Sequence, residues 1–373
     1  MKETLQKIGQ LLCVGFEGQQ CGAELRSFLA EIRPGGVIFF QRNIAAPDQL
    51  RSLVADIREV LKDSAPLLAI DQEGGAVDRF RELFGPLPSA WEAAQAGLAF
   101  ELGALAGREL AAFGLTVDFA PVLDLLTPES QPILGTRAAG STPQQVIQFA
   151  EQFLGGLAVC AVLGCGKHFP GLGAGRQDSH LAMPRIDRTE MALWNEDLLP
   201  FRRLADVLPM IMVAHAAYPA LEKALAPDTA PPERPIPASM SPGIVSGLLR
   251  GRIGYRGLVV CDDLEMGGAV EGRTIEAAAI TAVLAGCDLL LVCRSADKAE
   301  RVVRALAREA GNHTSFRQTV AQAAQRIARL KQTLAAKTAP ASESLEDWGA
   351  LQEAIGRLRS EVSARLRPRS EAS

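Results

Sequence analysis

The stretch Lys167 to His180, K-H-F-P-G-L-G-A-G-R-Q-D-S-H, sets two cationizable side chains at the end of an apolar run and an Asp-Ser-His after a glycine-rich loop. Asp178 and His180 are two residues apart. The carboxylate is near enough in sequence to orient the imidazole, fix its tautomer and raise its basicity, which makes an acid/base pair working near neutral pH. A surface Asp beside a loop histidine is the plain alternative from these residues alone. Gly171, Gly173 and Gly175 would let the backbone approach a ligand closely. A phosphate cradle is the weaker reading, because Lys167 precedes the glycines and no G-x-x-x-x-G-K-[ST] occurs. His168, Asp178 and His180 match no common metal-ligand spacing, and no cysteine pair has C-x-x-C spacing. No metal and no cofactor is expected.

A second candidate is Leu258 to Met266, L-V-V-C-D-D-L-E-M, in which an apolar run delivers Asp262 and Asp263. Side chains alternate along a strand, so the two carboxylates leave in different directions and one should face a ligand centrally. Capping of the following helix is the other use of an aspartate placed here.

These residues need elements to hold them. Short apolar runs recur at Leu11 to Phe16, Gly36 to Phe40, Leu67 to Asp71, Thr116 to Asp124, Ala161 to His168, Met210 to His215, Leu258 to Asp262 and Asp288 to Cys293. Helical periodicity fills the intervals. Continuous apolar runs are what parallel strands buried on both faces require, so a (β/α)8 TIM-type barrel is expected, with an open doubly wound sheet as the alternative. The third to seventh runs end at or near Asp71, Asp124, Lys167 with His168, His215 and Asp262. In a barrel these ends meet at the C-terminal mouth, where active sites lie.

Pro219 to Pro242 is rich in proline and alanine and reads as a long loop. Phe316, Val320, Ile327, Leu330 and Leu334 have the spacing of a closing barrel helix. After the 337–341 linker, Leu345, Trp348, Leu351, Ile355, Leu358 and Val362 outline an amphipathic helix, with Ser344 and Asp347 as a variant capping box. Its apolar face could cover the barrel or another subunit. The expected organisation is one catalytic domain over residues 1–340 and a C-terminal helical extension over 341–373.

With 48% hydrophobic and 22% charged residues, the 373-residue chain has ample material for a core. A net charge of −4 offers no general attraction to nucleic acid or an anionic membrane. The N-terminal ten residues include charged and polar side chains, among them Glu3, where a signal peptide needs an unbroken apolar stretch, and no uncharged run is long enough to span a bilayer. Seven cysteines, an odd number mostly within apolar runs, suggest buried free thiols and a cytoplasmic location.

Together these segments resemble the β-N-acetylglucosaminidases of glycoside hydrolase family 3, particularly the bacterial single-domain enzymes of cell-wall recycling. K-H-F-P-G-x-G…D-S-H is similar to their catalytic loop and V-V-C-D-D-L-E-M to their nucleophile segment. A-I-D-Q-E-G-G-A-V-D-R-F (69–80), D-F-A-P-V-L-D (118–124) and P-A-S-M-S-P (237–242) add matches in the expected order. The resemblance implies Asp262 as nucleophile and His180, paired with Asp178, in place of the usual carboxylic acid/base. It implies Asp71, Arg79, Arg137, Lys167 and His168 as sugar-binding residues, while His215 either borders the pocket or is a hydrogen-bonded barrel histidine.

The implied activity is retaining removal of terminal β-linked N-acetylglucosamine, with a muropeptide or similar saccharide as substrate. Three features depart from the family pattern. Leu172 stands where a histidine is usual, Arg137 lies in Gly135-Thr-Arg-Ala-Ala instead of G-D-R-S-F, and the segment beyond about Ser342 has no match. The length leaves no room for the second large domain of many family 3 β-glucosidases. Competing readings are a glycoside phosphorylase, a catalytically idle sugar-binding barrel, and a lyase or aldolase using Lys167 as a Schiff base.

Overall fold

The structure, a computed structural model, describes residues 2–175, 183–227, 234–337 and 347–367. Each of the eight apolar runs contains a strand: β1 Leu12–Val14, β2 Gly36–Phe39, β3 Leu67–Ile70, β4 Val117–Asp118, β5 Leu163–Phe169, β6 Met210–Val213, β7 Leu258–Cys261 and β8 Leu289–Val292. All neighbours pair in parallel, and β8 pairs with β1 through Leu12 opposite Leu290, which closes the barrel. Every strand residue is buried, as the unbroken apolar runs require.

β4 departs most from its expected length. Its ladder covers two residues of the expected Thr116 to Asp124, because Pro121 has no N–H to donate. The chain nevertheless continues along β5: Leu123 N–H donates to the Lys167 carbonyl at 2.6 Å, which carries Asp124 up to the mouth. On the outside, the helices Ala99–Ala112 and Pro143–Val159 pack closely. A Cβ at Gly103 would lie 2.2 Å from the Phe153 carbonyl oxygen, so the contact depends on glycine.

At the opposite end of the barrel, Asp288 accepts from Arg250 at 2.5 Å, from Arg326 at 2.6 Å and from the Val259 amide at 2.9 Å. This buried cluster ties the start of β8 to β7 and to the long helix Thr314–Lys337.

Two loop expectations change. The segment expected as a long loop from Pro219 begins with the helix Pro219–Leu225, where Pro219 sits in the first turn without losing a hydrogen bond and Leu221 is buried. A 3-10 turn follows at Ala238–Met240. The C-terminal helix, Trp348–Leu366, starts at Asp347, whose carboxylate accepts from the Gly349 amide at 2.9 Å and the Ala350 amide at 3.2 Å. Ser344, expected to share that cap, lies outside the described residues. Leu351, Ile355, Leu358 and Val362 are buried against the barrel's own outer helices, which answers the question of what the apolar face covers.

Candidate active site

The turn after β3 is built to fold back on itself. Gly74 (φ +82°) and Gly75 (φ +58°) adopt left-handed backbone, and the Glu73 amide donates to the Val77 carbonyl at 2.9 Å. Gln72 holds the returning chain: its side-chain amide donates to Asp78 and Glu109, both at 2.7 Å, and its carbonyl accepts the Arg79 amide at 2.7 Å. Arg79 therefore comes back beside Asp71, with 3.7 Å between their charged groups.

Lys167, in β5, points into this turn. Its Nζ lies 2.7 Å from Asp71 Oδ1 and 2.6 Å from Glu73 Oε1, and its side chain is 3% exposed. Arg137 grips Glu73 in a two-pronged contact, Nε to Oε2 at 2.8 Å and Nη2 to Oε1 at 2.9 Å. Burial alone would push the Glu73 carboxyl up, but Arg137 and Lys167 outweigh it and hold the group far below the usual carboxylate range. Asp71 follows the same pattern: burial raises it, and Lys167 with Arg79 bring it below its ordinary value. Burial works against the Lys167 ammonium, yet the carboxylates of Asp71 and Glu73 keep its affinity for the proton above that of an ordinary lysine. A lysine held protonated is not a nucleophile, which removes the physical basis for a Schiff base at this position.

His168 is oriented from behind. Its Nδ1 lies 2.7 Å from Asp124 Oδ2, while Asp124 Oδ1 accepts the backbone amides of His168 at 3.2 Å and Leu172 at 2.8 Å. Asp124, which ends the fourth run, is fully buried and positions its neighbours; it does not face the pocket. His215 likewise lies beneath the mouth. Its Nε2 is 3.0 and 3.1 Å from the carbonyl oxygens of Asp262 and Asp263, so that nitrogen carries the proton, and Nδ1 accepts from Ser239 Oγ at 2.8 Å. Burial pushes its pKa down. A neutral His215 thus fixes the backbone that carries Asp262.

Asp262 follows β7 and accepts the Asp263 amide at 2.8 Å. Asp263 turns sideways, its Oδ1 accepting the amides of Glu265 at 3.0 Å and Cys293 at 3.3 Å, and burial pushes it up to about 6. Asp262, Asp71, Glu73, Arg79, Arg137, Lys167 and His168 all line one cavity of about 230 Å³, whose apolar walls include Ile133, Leu172 and Met266. A larger hollow, about 400 Å³, lies at the opposite end of the barrel near Leu163, Leu208 and Leu330; Asp206, Arg256, Arg326 and Arg329 also line it, Arg326 being committed to Asp288. The mouth is marked as the site by its place at the C-terminal ends of the strands and by four carboxylates meeting three cations and a histidine there, not by size.

Asp178 and His180 lie outside the described residues. Among the described residues, no group of three or more His, Cys, Asp and Glu side chains is arranged to hold a metal ion. Glu73 is a pocket residue that the sequence reading passed over. Its signal was the spacing: on extended backbone Asp71 and Glu73, two apart, face the same side.

A closed parallel barrel whose strand ends bring charged side chains together on a mouth cavity defines the class of TIM-barrel enzymes. Residues 4–330 match the glycosyl hydrolase family 3 N terminal domain, and the chain belongs to that family of glycoside hydrolases. It is 40% identical over 305 residues to a beta-hexosaminidase of Alkalilimnicola ehrlichii, covering 79% of this chain and 84% of that protein. A beta-hexosaminidase of Methylococcus capsulatus is 38% identical over 311 residues, 82% of this chain and 89% of that protein. Among solved structures, a family 3 beta-N-acetylglucosaminidase from Paenibacillus sp. str. FPU-7 superposes with a TM-score of 0.84 at 32% identity, over 96% of this chain and 68% of that one. NagZ from Neisseria gonorrhoeae, solved with N-trifluoroacetyl-D-glucosamine, gives 0.75 at 28% identity over 94% of this chain and 98% of that one.

Proposed function

We propose that this glycoside hydrolase is a retaining exo-β-N-acetylglucosaminidase that releases terminal β-linked N-acetylglucosamine, with peptidoglycan-derived muropeptides as substrates in the cytoplasm. The observation that carries this reading is the placement of Asp262, after β7, on a cavity where Asp71, Glu73 and Arg79 from the turn after β3, Arg137 from the segment after β4 and Lys167 and His168 from β5 also converge, with Asp263 beside them. A cavity of about 230 Å³ is smaller than the roughly 300–1,000 Å³ typical of drug-sized ligands and suits one sugar ring. Asp71, Arg79, Arg137, Lys167 and His168 hold the hydroxyl groups of that ring through charge-assisted hydrogen bonds, and such bonds orient as well as bind. Glu73 keeps Arg137 and Lys167 aimed.

Asp262 attacks the anomeric carbon as the bond to the leaving oxygen breaks, giving a covalent glycosyl-enzyme through an oxocarbenium-like transition state. His180, oriented by Asp178, gives its proton to the leaving oxygen and then takes one from the water that releases the sugar. Two displacements at one carbon retain the β-configuration. The sugar-bound relative from Neisseria gonorrhoeae supports an N-acylated glucosamine as the ring recognised, and the seven free thiols suit a reducing compartment. Residues 1–340 form the catalytic unit and 341–373 an extension to it.

A panel of aryl β-glycosides carrying N-acetylglucosamine, glucose, xylose and N-acetylgalactosamine tests the assignment. A site that hydrogen-bonds the acetamido group should reject the glucoside strongly. Equal or faster turnover of the glucoside would make the protein a β-glucosidase, and release of sugar 1-phosphate in phosphate buffer would make it a phosphorylase.

A further inference from the structure

The family match ends at residue 330, and the C-terminal helix Trp348–Leu366 lies beyond it. Where that helix docks gives it a role in the site. It packs on the helices that follow β3, Arg81–Phe84 and Ala90–Ala96, and on Ala99–Ala112. Two of its polar side chains cap the ends of the first two: Gln352 donates to the Leu83 carbonyl at 2.8 Å and Arg365 to the Ala96 carbonyl at 3.0 Å. Unpaired carbonyls at a helix C-terminus otherwise need water or a local turn, so these contacts fix where the helices end.

Its first residue starts a stack of rings. Trp348 lies 5.3 Å from Phe84 and 5.2 Å from Phe113, centroid to centroid and nearly parallel to both. Phe113 in turn stacks on Phe80 at 5.2 Å. The Arg51 guanidinium sits 4.9 Å over the Trp348 ring and adds a cation–π contact to it. Phe80 is the residue after Arg79. Its amide and the Leu87 amide both donate to Asp78, which also receives the Gln72 side chain, the group that accepts the Arg79 amide. An unbroken set of packed rings and hydrogen bonds therefore runs from the C-terminal helix to the turn bearing Asp71 and Arg79. Phe80 and Phe113 are almost fully buried, so the stack cannot shift without moving that turn.

We propose that the C-terminal helix braces the sugar-binding turn through this stack, and that Trp348 is a positioning residue for Arg79 and Asp71. The proposal rests on the reading that these two residues hold the sugar. Loss of the Trp348 ring lets the turn relax, weakening ground-state binding of the sugar more than the chemical step on Asp262. Effects transmitted through packed networks of this kind run from about twofold to about thirtyfold.

The test uses the full chain and an aryl N-acetylglucosaminide, with free N-acetylglucosamine as a competitive ligand. W348A should raise KM and the inhibition constant of the free sugar roughly three- to tenfold while kcat stays within about twofold. W348F, which keeps a flat ring, should restore most of the loss. W348L retains apolar bulk for folding but not the stack and should resemble W348A. In an R79A background, itself raised in KM, W348A should add clearly less than its effect in the wild type, because one of the two groups it positions is gone. If W348A and W348L leave KM unchanged, or add their full effect on top of R79A, the brace is refuted while the sugar-binding reading stands. If R79A alone leaves both constants unchanged, the sugar-binding reading fails and the proposal falls with it.

Discussion

Replacing Glu73 by glutamine takes one negative charge from a floor where three cations, Arg79, Arg137 and Lys167, meet two carboxylates. The shape of the side chain is preserved, so the change isolates charge. Glu73 is 3% exposed, and water cannot easily replace it. Removing one partner of a buried ion pair typically costs about 3–5 kcal/mol, since the other charge stays buried without compensation. Glutamine keeps a carbonyl acceptor for Arg137, and Asp71 still faces Lys167, which places the expected loss near the lower end, about 3 kcal/mol.

With about 2.1 cal/mol/K of unfolding entropy per residue over 373 residues, that loss lowers Tm by about 4 °C. Arg137 and Lys167 also lose their aim, so kcat/KM should fall about tenfold or more. The pH dependence has a definite sign. Because Glu73 is held below its ordinary value in the folded state, its stabilisation is fully present above the unfolded carboxyl pKa of about 4.3 and is lost as pH falls through the lower folded value. Urea unfolding of wild type and E73Q at pH 7 and below pH 4 should show a stability gap that narrows on acidification. An E73Q protein as stable as wild type at pH 7, or a gap independent of pH, would refute this account of the floor.

The acid/base role of His180 should appear as a dependence on leaving group: H180A should nearly abolish hydrolysis of an alkyl or saccharide linkage yet spare glycosyl-enzyme formation from a dinitrophenyl glycoside, as pre-steady-state kinetics would show. A loss equal for both leaving groups would reduce His180 to positioning. D288A, at the opposite end of the barrel, should destabilise the protein by about 3–5 kcal/mol through the abandoned guanidinium groups of Arg250 and Arg326. Its kcat at a permissive temperature should stay within about twofold, since Asp288 touches no part of the mouth, and a large fall in kcat with unchanged stability would contradict this.

The barrel was legible because parallel strands buried on both faces leave continuous apolar runs, and all eight runs contain a strand. β4 was read too long because the run continues past Pro121, where the ladder cannot. Asp71, Lys167, His168 and Asp262, expected at the mouth from their run ends, line one cavity together with Arg79 and Arg137, which only the family resemblance had pointed to. Glu73 was missed because D-Q-E-G-G reads as a turn, and its pairing with Arg137 spans 64 residues. Long-range pairing of this kind leaves no local trace. His215 and Asp124 stood at run ends like pocket residues, yet both face inward and position others, a distinction set by side-chain direction at the last residues of a strand. The C-terminal helix was readable from its periodicity. Its docking partner was not, because an apolar stripe states only that something covers it.

The claim at the centre of the account is that Asp262 carries the sugar covalently. Incubation with a 2-fluoro-substituted β-glycoside bearing a good leaving group, followed by proteolysis and mass spectrometry, tests it directly, because the fluorine slows both formation and hydrolysis of the intermediate while the good leaving group speeds formation alone, so the intermediate accumulates. The account predicts a single glycosyl adduct on the peptide containing L-V-V-C-D-D-L-E-M, fragmenting to Asp262, and none in D262N. An adduct on Asp263, or inactivation-free turnover with no adduct on any residue, would contradict it.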